Sequence, residues 1–227
     1  MRALPALFLL TSLAGCASTA TMQSARPMGH GEVEVALELS HGVALRPVMR
    51  PPLASTKDPL AEFVSVNGSG FDLSARVGLE DEIDGVLRLG SAGAEIGLKR
   101  ALSHAPDRAF AWAGLVTTRV RLDLAAEVTG ALLLEAEVAP WQRFVVTPRL
   151  HLTAASLGEI GSAPISGVHS YNVAGIAPGI SLTSLSRIGK RASLGVEVTG
   201  RHRGYPVRTD MTWPFWISGS FALMIRQ

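Results

Sequence analysis

Between Ser69 and Leu102, apolar side chains recur at every second position. Phe71, Leu73, Ala75, Val77 and Leu79 share one face, and Asp72, Ser74, Arg76 and Gly78 share the other. After the acidic turn Glu80-Asp81-Glu82, Ile83, Gly85, Leu87 and Leu89 oppose Asp84, Val86, Arg88 and Gly90. Ser91-Ala92-Gly93 turns the chain again, and Ala94, Ile96 and Leu98 oppose Glu95, Gly97 and Lys99. Successive side chains of a strand point to opposite faces, so this period of two predicts a three-strand antiparallel meander.

The same alternation extends along the chain. A first strand is predicted over 32–44, with Val33, Val35, Leu37 and Leu39 against Glu34, Ala36, Glu38 and Ser40. Four prolines (Pro47, Pro51, Pro52, Pro59) make 45–68 mostly loop, with a strand start possible at Glu62 to Val66; Asn67-Gly68-Ser69-Gly70 is a loop-to-strand turn. Ser103 to Arg108 is a turn. The fifth strand, 109–118, is apolar on both faces, and Arg119 to Ala126 is loop or strand extension. Further strands are expected over 127–138, over 143–155, over 171–183 with Pro178 as an interruption, over 192–200 and over 213–226. The connections at 157–170, 184–191 and 201–212 are loops and turns, the last of them basic. The expected fold is all-β: a single antiparallel up-and-down barrel of about ten strands, with eight as the alternative.

Alternation by itself does not say which face is outside. Small residues crowd the polar face (Ser40, Gly42, Ser74, Gly78, Gly90, Gly97, Gly195, Ser218, Ser220), which suits a narrow lumen better than a solvated exterior. Connections alternate between short and mostly longer, and Phe71, Phe110, Trp112, Trp141, Phe144, Tyr171, Trp213 and Phe215 gather near strand ends, as membrane-interface girdles do. The expectation is therefore a transmembrane barrel, apolar side out. The rival is a soluble, lipocalin-like periplasmic barrel that binds an apolar ligand inside.

Composition narrows the picture further. With 227 residues, 47% hydrophobic content and a formal charge of +2, the chain suits one folded domain; its basic residues are scattered, so no nucleic-acid partner is expected. The single cysteine is Cys16. Met1-Arg2, the apolar run Ala3 to Leu13 and Leu13-Ala14-Gly15-Cys16 read as a signal peptide too short to span a bilayer. Those last four residues resemble the bacterial lipobox, which implies cleavage before Cys16 and its acylation; ordinary signal-peptidase cleavage at a small residue is the alternative. Ala17, where many inner-membrane lipoproteins carry Asp, implies sorting to the outer membrane. The expected organisation is a signal peptide at 1–15, a lipidated flexible tether at 16–31 and the barrel at 32–227. Taken together, the chain resembles bacterial outer-membrane β-barrel proteins of the lipid-anchored kind. Many of these end in an aromatic residue, whereas this chain ends in Gln227. The resemblance implies residence in the outer membrane, with both chain ends and the anchor on the periplasmic side and outer-membrane lipids as the surroundings.

If the phasing holds, the lumen collects Glu34, Glu38, Asp72, Asp84, Glu95, Glu135, Glu137 and Glu197 with Arg76, Arg88, Lys99, Arg149 and His151. Buried charges must pair, so these residues form either a structural ion-pair plug or, through their acidic excess, a narrow cation-preferring pore. Outer-loop Arg46, Arg50, Lys57, Arg201, His202, Arg203 and Arg208 are candidates to meet lipopolysaccharide phosphates or surface polysaccharide. Enzymatic signals are sparse. There is no HExxH and no GxSxG, and no metal or other cofactor is expected beyond the acyl group; His169-Ser170 is the one hint of lipid-hydrolase chemistry. A structural or surface role, or a narrow channel, is the expected function, ahead of a soluble binding protein and a lipid-modifying enzyme.

Overall fold

The computed structural model describes residues 22–47, 63–91, 93–103, 109–120, 126–153, 175–202 and 215–227. Ten strands run in order: β1 (Val33–Pro47), β2 (Phe63–Gly78), β3 (Ile83–Gly90), β4 (Gly93–Ala101), β5 (Phe110–Val120), β6 (Ala126–Ala139), β7 (Gln142–Thr153), β8 (Gly175–Arg187), β9 (Ala192–His202) and β10 (Phe215–Arg226). Each pairs antiparallel with its sequence neighbour. β10 closes on β1, from Glu34 opposite Arg226 to Leu45 opposite Phe215. Closure leaves no strand edge, so every ladder group can find a partner where no water competes. Among the described residues no helix is long and apolar enough to cross a membrane.

The faces fall as the alternation predicts. Leu37, Leu39, Ile96, Leu98, Val116, Leu182, Val196 and Val198 each keep more than half of their surface exposed on the exterior, whereas Asp84, Lys99, Thr147 and Glu197 are wholly buried inside. An apolar exterior of this extent on all ten strands is incompatible with a water-soluble monomer. A lipocalin-like barrel needs the opposite orientation. Phe110, Trp112, Trp141 and Phe144 are exposed together toward the mouth where β1 begins and β10 ends, called here the proximal mouth. Tyr171 and Trp213 lie outside the described residues.

Several boundaries differ from expectation, and in each case cross-strand pairing overrides local propensity. β1 and β2 pair continuously from Val33–Val77 to Pro47–Phe63, so Asn67-Gly68-Ser69-Gly70 is strand, opposite Val43 to Ser40, and Arg46 is a strand residue opposite Val64. β5 reaches Val120 and β9 reaches His202. β8 runs on to Arg187, and Pro178 sits within it opposite Leu150. Proline does leave a mark in β7. The β6–β7 pairs stop at Ala131–Arg149 and resume in the same register at Leu134–Val146, because Pro148 has no N–H to offer.

The largest difference concerns the segment expected to be part of a flexible tether. Residues 22–28 lie inside the barrel, with Met22, Ala25 and Met28 buried, and 29–31 are exposed at the proximal mouth. Their partners come from strands scattered through the sequence, so nothing local announces the fit. Cys16 lies outside the described residues.

Candidate functional site

The inserted segment is held mainly by its backbone. The N–H groups of Met22, Ala25 and Met28 donate to Glu197 Oε2 at 2.9 Å, Glu135 Oε2 at 2.8 Å and Asp84 Oδ1 at 2.9 Å. Lys99 Nζ donates to the carbonyls of Ser24 (2.9 Å) and Arg26 (2.7 Å), and Arg76 donates to the Ser24 carbonyl at 3.2 Å. An unpaired amide buried here would cost roughly 1–3 kcal/mol, so carboxylates and cations of the wall satisfy the backbone of this irregular segment. Side chains add to the attachment. Ser24 Oγ donates to Glu135 at 2.5 Å, while Arg26 reaches Glu135 at 2.9 Å and Glu137 at 2.8 Å.

Two wall glycines are shaped to this occupant. A Cβ on Gly78 would lie 2.1 Å from the Gly29 carbonyl oxygen, and one on Gly195 would lie 3.0 Å from Met22 Sδ. At the mouth the Gly31 N–H donates to the Gly78 carbonyl at 2.9 Å, and Gly31 takes φ +77°, a conformation costly for any residue with a Cβ. Glu32 borders this turn. A hydrogen bond from Arg226, and secondly one from the Gly29 N–H, hold its carboxyl below the usual range.

Around and beyond the segment the lumen is filled by ion pairs. Lys99 meets Asp84 at 2.7 Å with both side chains wholly buried, and Arg76 meets Glu34 at 3.1 Å. Arg88 meets Glu38 at 2.9 Å and approaches Glu95 at 4.0 Å; Arg119 Nε donates to Glu95 at 2.9 Å. Arg149 meets Glu197 at 3.1 Å, and Glu197 also accepts from Thr183 (2.7 Å) and Thr199 (2.9 Å). Glu127 is bound by Arg201 at 2.7 Å and by His151 at 3.1 Å, with Thr129 2.8 Å from the same ring nitrogen. Asp72 lies over Gly90, where a Cβ would come within 1.8 Å of its Oδ1, and its charge acts on Arg88 together with Glu38, Glu95 and Glu197.

All thirteen residues expected in the lumen network face inward: Glu34, Glu38, Asp72, Arg76, Asp84, Arg88, Glu95, Lys99, Glu135, Glu137, Arg149, His151 and Glu197. Sequence reasoning missed Arg119 and Glu127, which flank a stretch left open between loop and strand, and Arg201, placed with the basic loop. The signal was present in the alternation. Arg119 continues the inward set Ala113, Leu115, Thr117, and Arg201 continues Gly195, Glu197, Thr199. It also missed Arg26 of the inserted segment and Arg143, which lies 3.3 Å from Glu137.

These additions change the charge balance. Nine lumen carboxylates face eight permanent cations among the described residues, so the acidic excess read from the sequence is nearly cancelled. Among those residues no group of three or more His, Cys, Asp or Glu could hold a metal ion. Arg50, Lys57, Arg203, Arg208, His169 and Ser170 lie outside the described residues.

No protein-family model matches the sequence, and no curated protein matches it. Solved structures resemble it loosely. Neisserial surface protein A is 12% identical, with a TM-score of 0.40 over 87% of this chain and 98% of that one. The NanC porin is 7% identical, with a TM-score of 0.43 over 83% and 98%. Ail of Yersinia pestis, solved with the heparin analogue sucrose octasulfate, is 8% identical, with a TM-score of 0.36 over 87% and 99%. These neighbours are outer-membrane β-barrel proteins, and the likeness is one of general architecture.

Proposed function

We propose that this protein is a lipid-anchored bacterial outer-membrane β-barrel whose lumen is sealed in the conformation described, and which serves a structural or surface role. One observation carries the reading: the exterior is apolar on every strand while charged lumen groups such as Lys99, Asp84 and Glu197 have no solvent-accessible surface. A barrel of this size has little open cross-section to begin with. Here side chains and the inserted segment occupy it, so the sealed state does not conduct. The proximal mouth faces the periplasm in this reading, and Cys16 carries acyl chains in the adjacent leaflet. Arg50 and Lys57, which follow β1 in the chain, and Arg203 and Arg208, which follow β9, supply the charge that meets lipopolysaccharide or other anionic polysaccharide. Arg201 leaves that set, since it is committed to Glu127.

The test is membrane fractionation with a heat-modifiability gel on the wild type and a Cys16→Ala variant. Both are expected in the outer membrane, each migrating anomalously when unheated. Release of a soluble, folded Cys16→Ala protein would mean that acyl chains were the only membrane contact and would overturn the reading.

A further inference from the structure

We propose that residues 22–31 are a displaceable gate, and that withdrawing them into the proximal compartment converts the sealed barrel into a cation-preferring conduit. The proposal rests on the membrane-barrel reading above and goes beyond it. Among the described residues this segment is the only backbone inside the barrel. Everything else that crosses the lumen is side chain, which can hydrate and reorient, whereas a main chain blocks passage as long as it stays.

The attachment has the features of a docking site. Three wall carboxylates, from β9, β6 and β3, take the N–H of every third residue of the segment, and two cations take the carbonyls between them. Gly78 and Gly195 leave the space that the Gly29 carbonyl and the Met22 side chain fill. Backbone pairing with the wall begins only at the mouth, where the Gly31 N–H donates to the Gly78 carbonyl and the Gly78 N–H to the Glu32 carbonyl, each at 2.9 Å. Among the described residues 22–29 the wall is met through its side chains. The hinge lies at the mouth, where His30 and Gly31 are exposed and Gly31 adopts a left-handed conformation. The segment's C-terminal end is fixed to β1 at that mouth, so withdrawal runs toward that side.

Its departure would also set selectivity. Arg26 is the cation that neutralises Glu135 and shares Glu137, and it leaves with the segment. Asp84 keeps Lys99 at 2.7 Å, and Glu197 keeps Arg149 at 3.1 Å. Among the described residues Glu135 and Glu137 then retain Arg143, at 3.7 and 3.3 Å, which is itself partly exposed at the mouth. The hydrated lumen then has a surplus of carboxylate at its proximal end, which draws in cations and disfavours anions.

The experiment is single-channel recording in planar bilayers of the full chain, a variant lacking residues 22–29, and Gly78→Leu, which displaces the segment sterically without altering it. Heat-modifiability certifies that each barrel is folded. The wild type is expected to stay mostly closed. Both variants are expected to raise the time-averaged conductance by roughly tenfold or more, with a reversal potential on the cation side. A synthetic peptide of residues 22–31 added at the proximal face should close the deletion variant again. The same peptide N-methylated at Ala25 and Met28, lacking two of the three donors, should not. Folded, inserted variants that remain silent would overturn the gate while leaving the membrane barrel standing. So would loss of folding in both variants, since the segment would then be part of the core. A wild type that fails to insert would overturn the membrane-barrel reading itself.

Discussion

Lys99 and Asp84 show how much a single residue decides in this barrel. Both are wholly buried, 2.7 Å apart, and Lys99 also binds two carbonyls of the inserted segment. Lys99→Met would leave a buried carboxylate whose remaining cation, Arg76, is 3.9 Å away. The expected cost is about 3–5 kcal/mol, read as a lower urea midpoint for loss of the heat-modifiable form. Gly90 is decisive in another way. A Cβ there would meet Asp72 Oδ1 at 1.8 Å and the Phe71 carbonyl at 2.5 Å, and the backbone oxygen cannot move aside cheaply. Gly90→Ala should therefore destabilise by about 1–3 kcal/mol in the same assay. Neither result could be anticipated from the sequence. Lys99 was legible as an inward-facing base, but its two carbonyl partners belong to a segment without alternation.

Strands were the most legible elements, because a period of two is imposed by backbone geometry and survives composition. It gave little phase where both faces were apolar, as at the start of β5, and it failed where glycine and proline suggested a break that pairing repaired. β9 gives a direct test of the faces. Val196 is 51% exposed and its neighbour Glu197 is wholly buried. Val196→Arg should impair insertion by roughly 2–4 kcal/mol if it lies near the bilayer midplane, measured by folding into lipid vesicles. Val196→Leu should be silent. At β7, Pro148 interrupts the pairing with β6 although the register is kept. Pro148→Val restores an N–H at that point and should raise stability by about 0.5–1.5 kcal/mol. An unchanged urea midpoint would mean that the gap is already satisfied by another route.

At the scale of the whole molecule, a closed barrel with an apolar exterior leaves its charged residues one place to go, and the lumen must then neutralise itself. The alternating pattern determined the all-β class and which residues from Glu34 to Glu197 share a face, since both follow from short-range geometry along one strand. Which face is inside took the small residues and aromatics as well, and the count was about ten with eight as the alternative. Tertiary structure decided which acid meets which base, because partners such as Glu127 and Arg201 are 74 residues apart and are brought together by barrel stagger. It decided part of the charge balance too, by drawing Arg26 into the lumen. It also decided the fate of residues 22–31. Aperiodic and rich in glycine and polar residues, they carry no pattern of a strand or helix, and they are fixed because a closed wall presents carboxylates and cations to their backbone and space to Met22, Ala25 and Met28. Alternation is local and can be read from the chain, whereas the interior of a barrel exists only once the last strand has met the first.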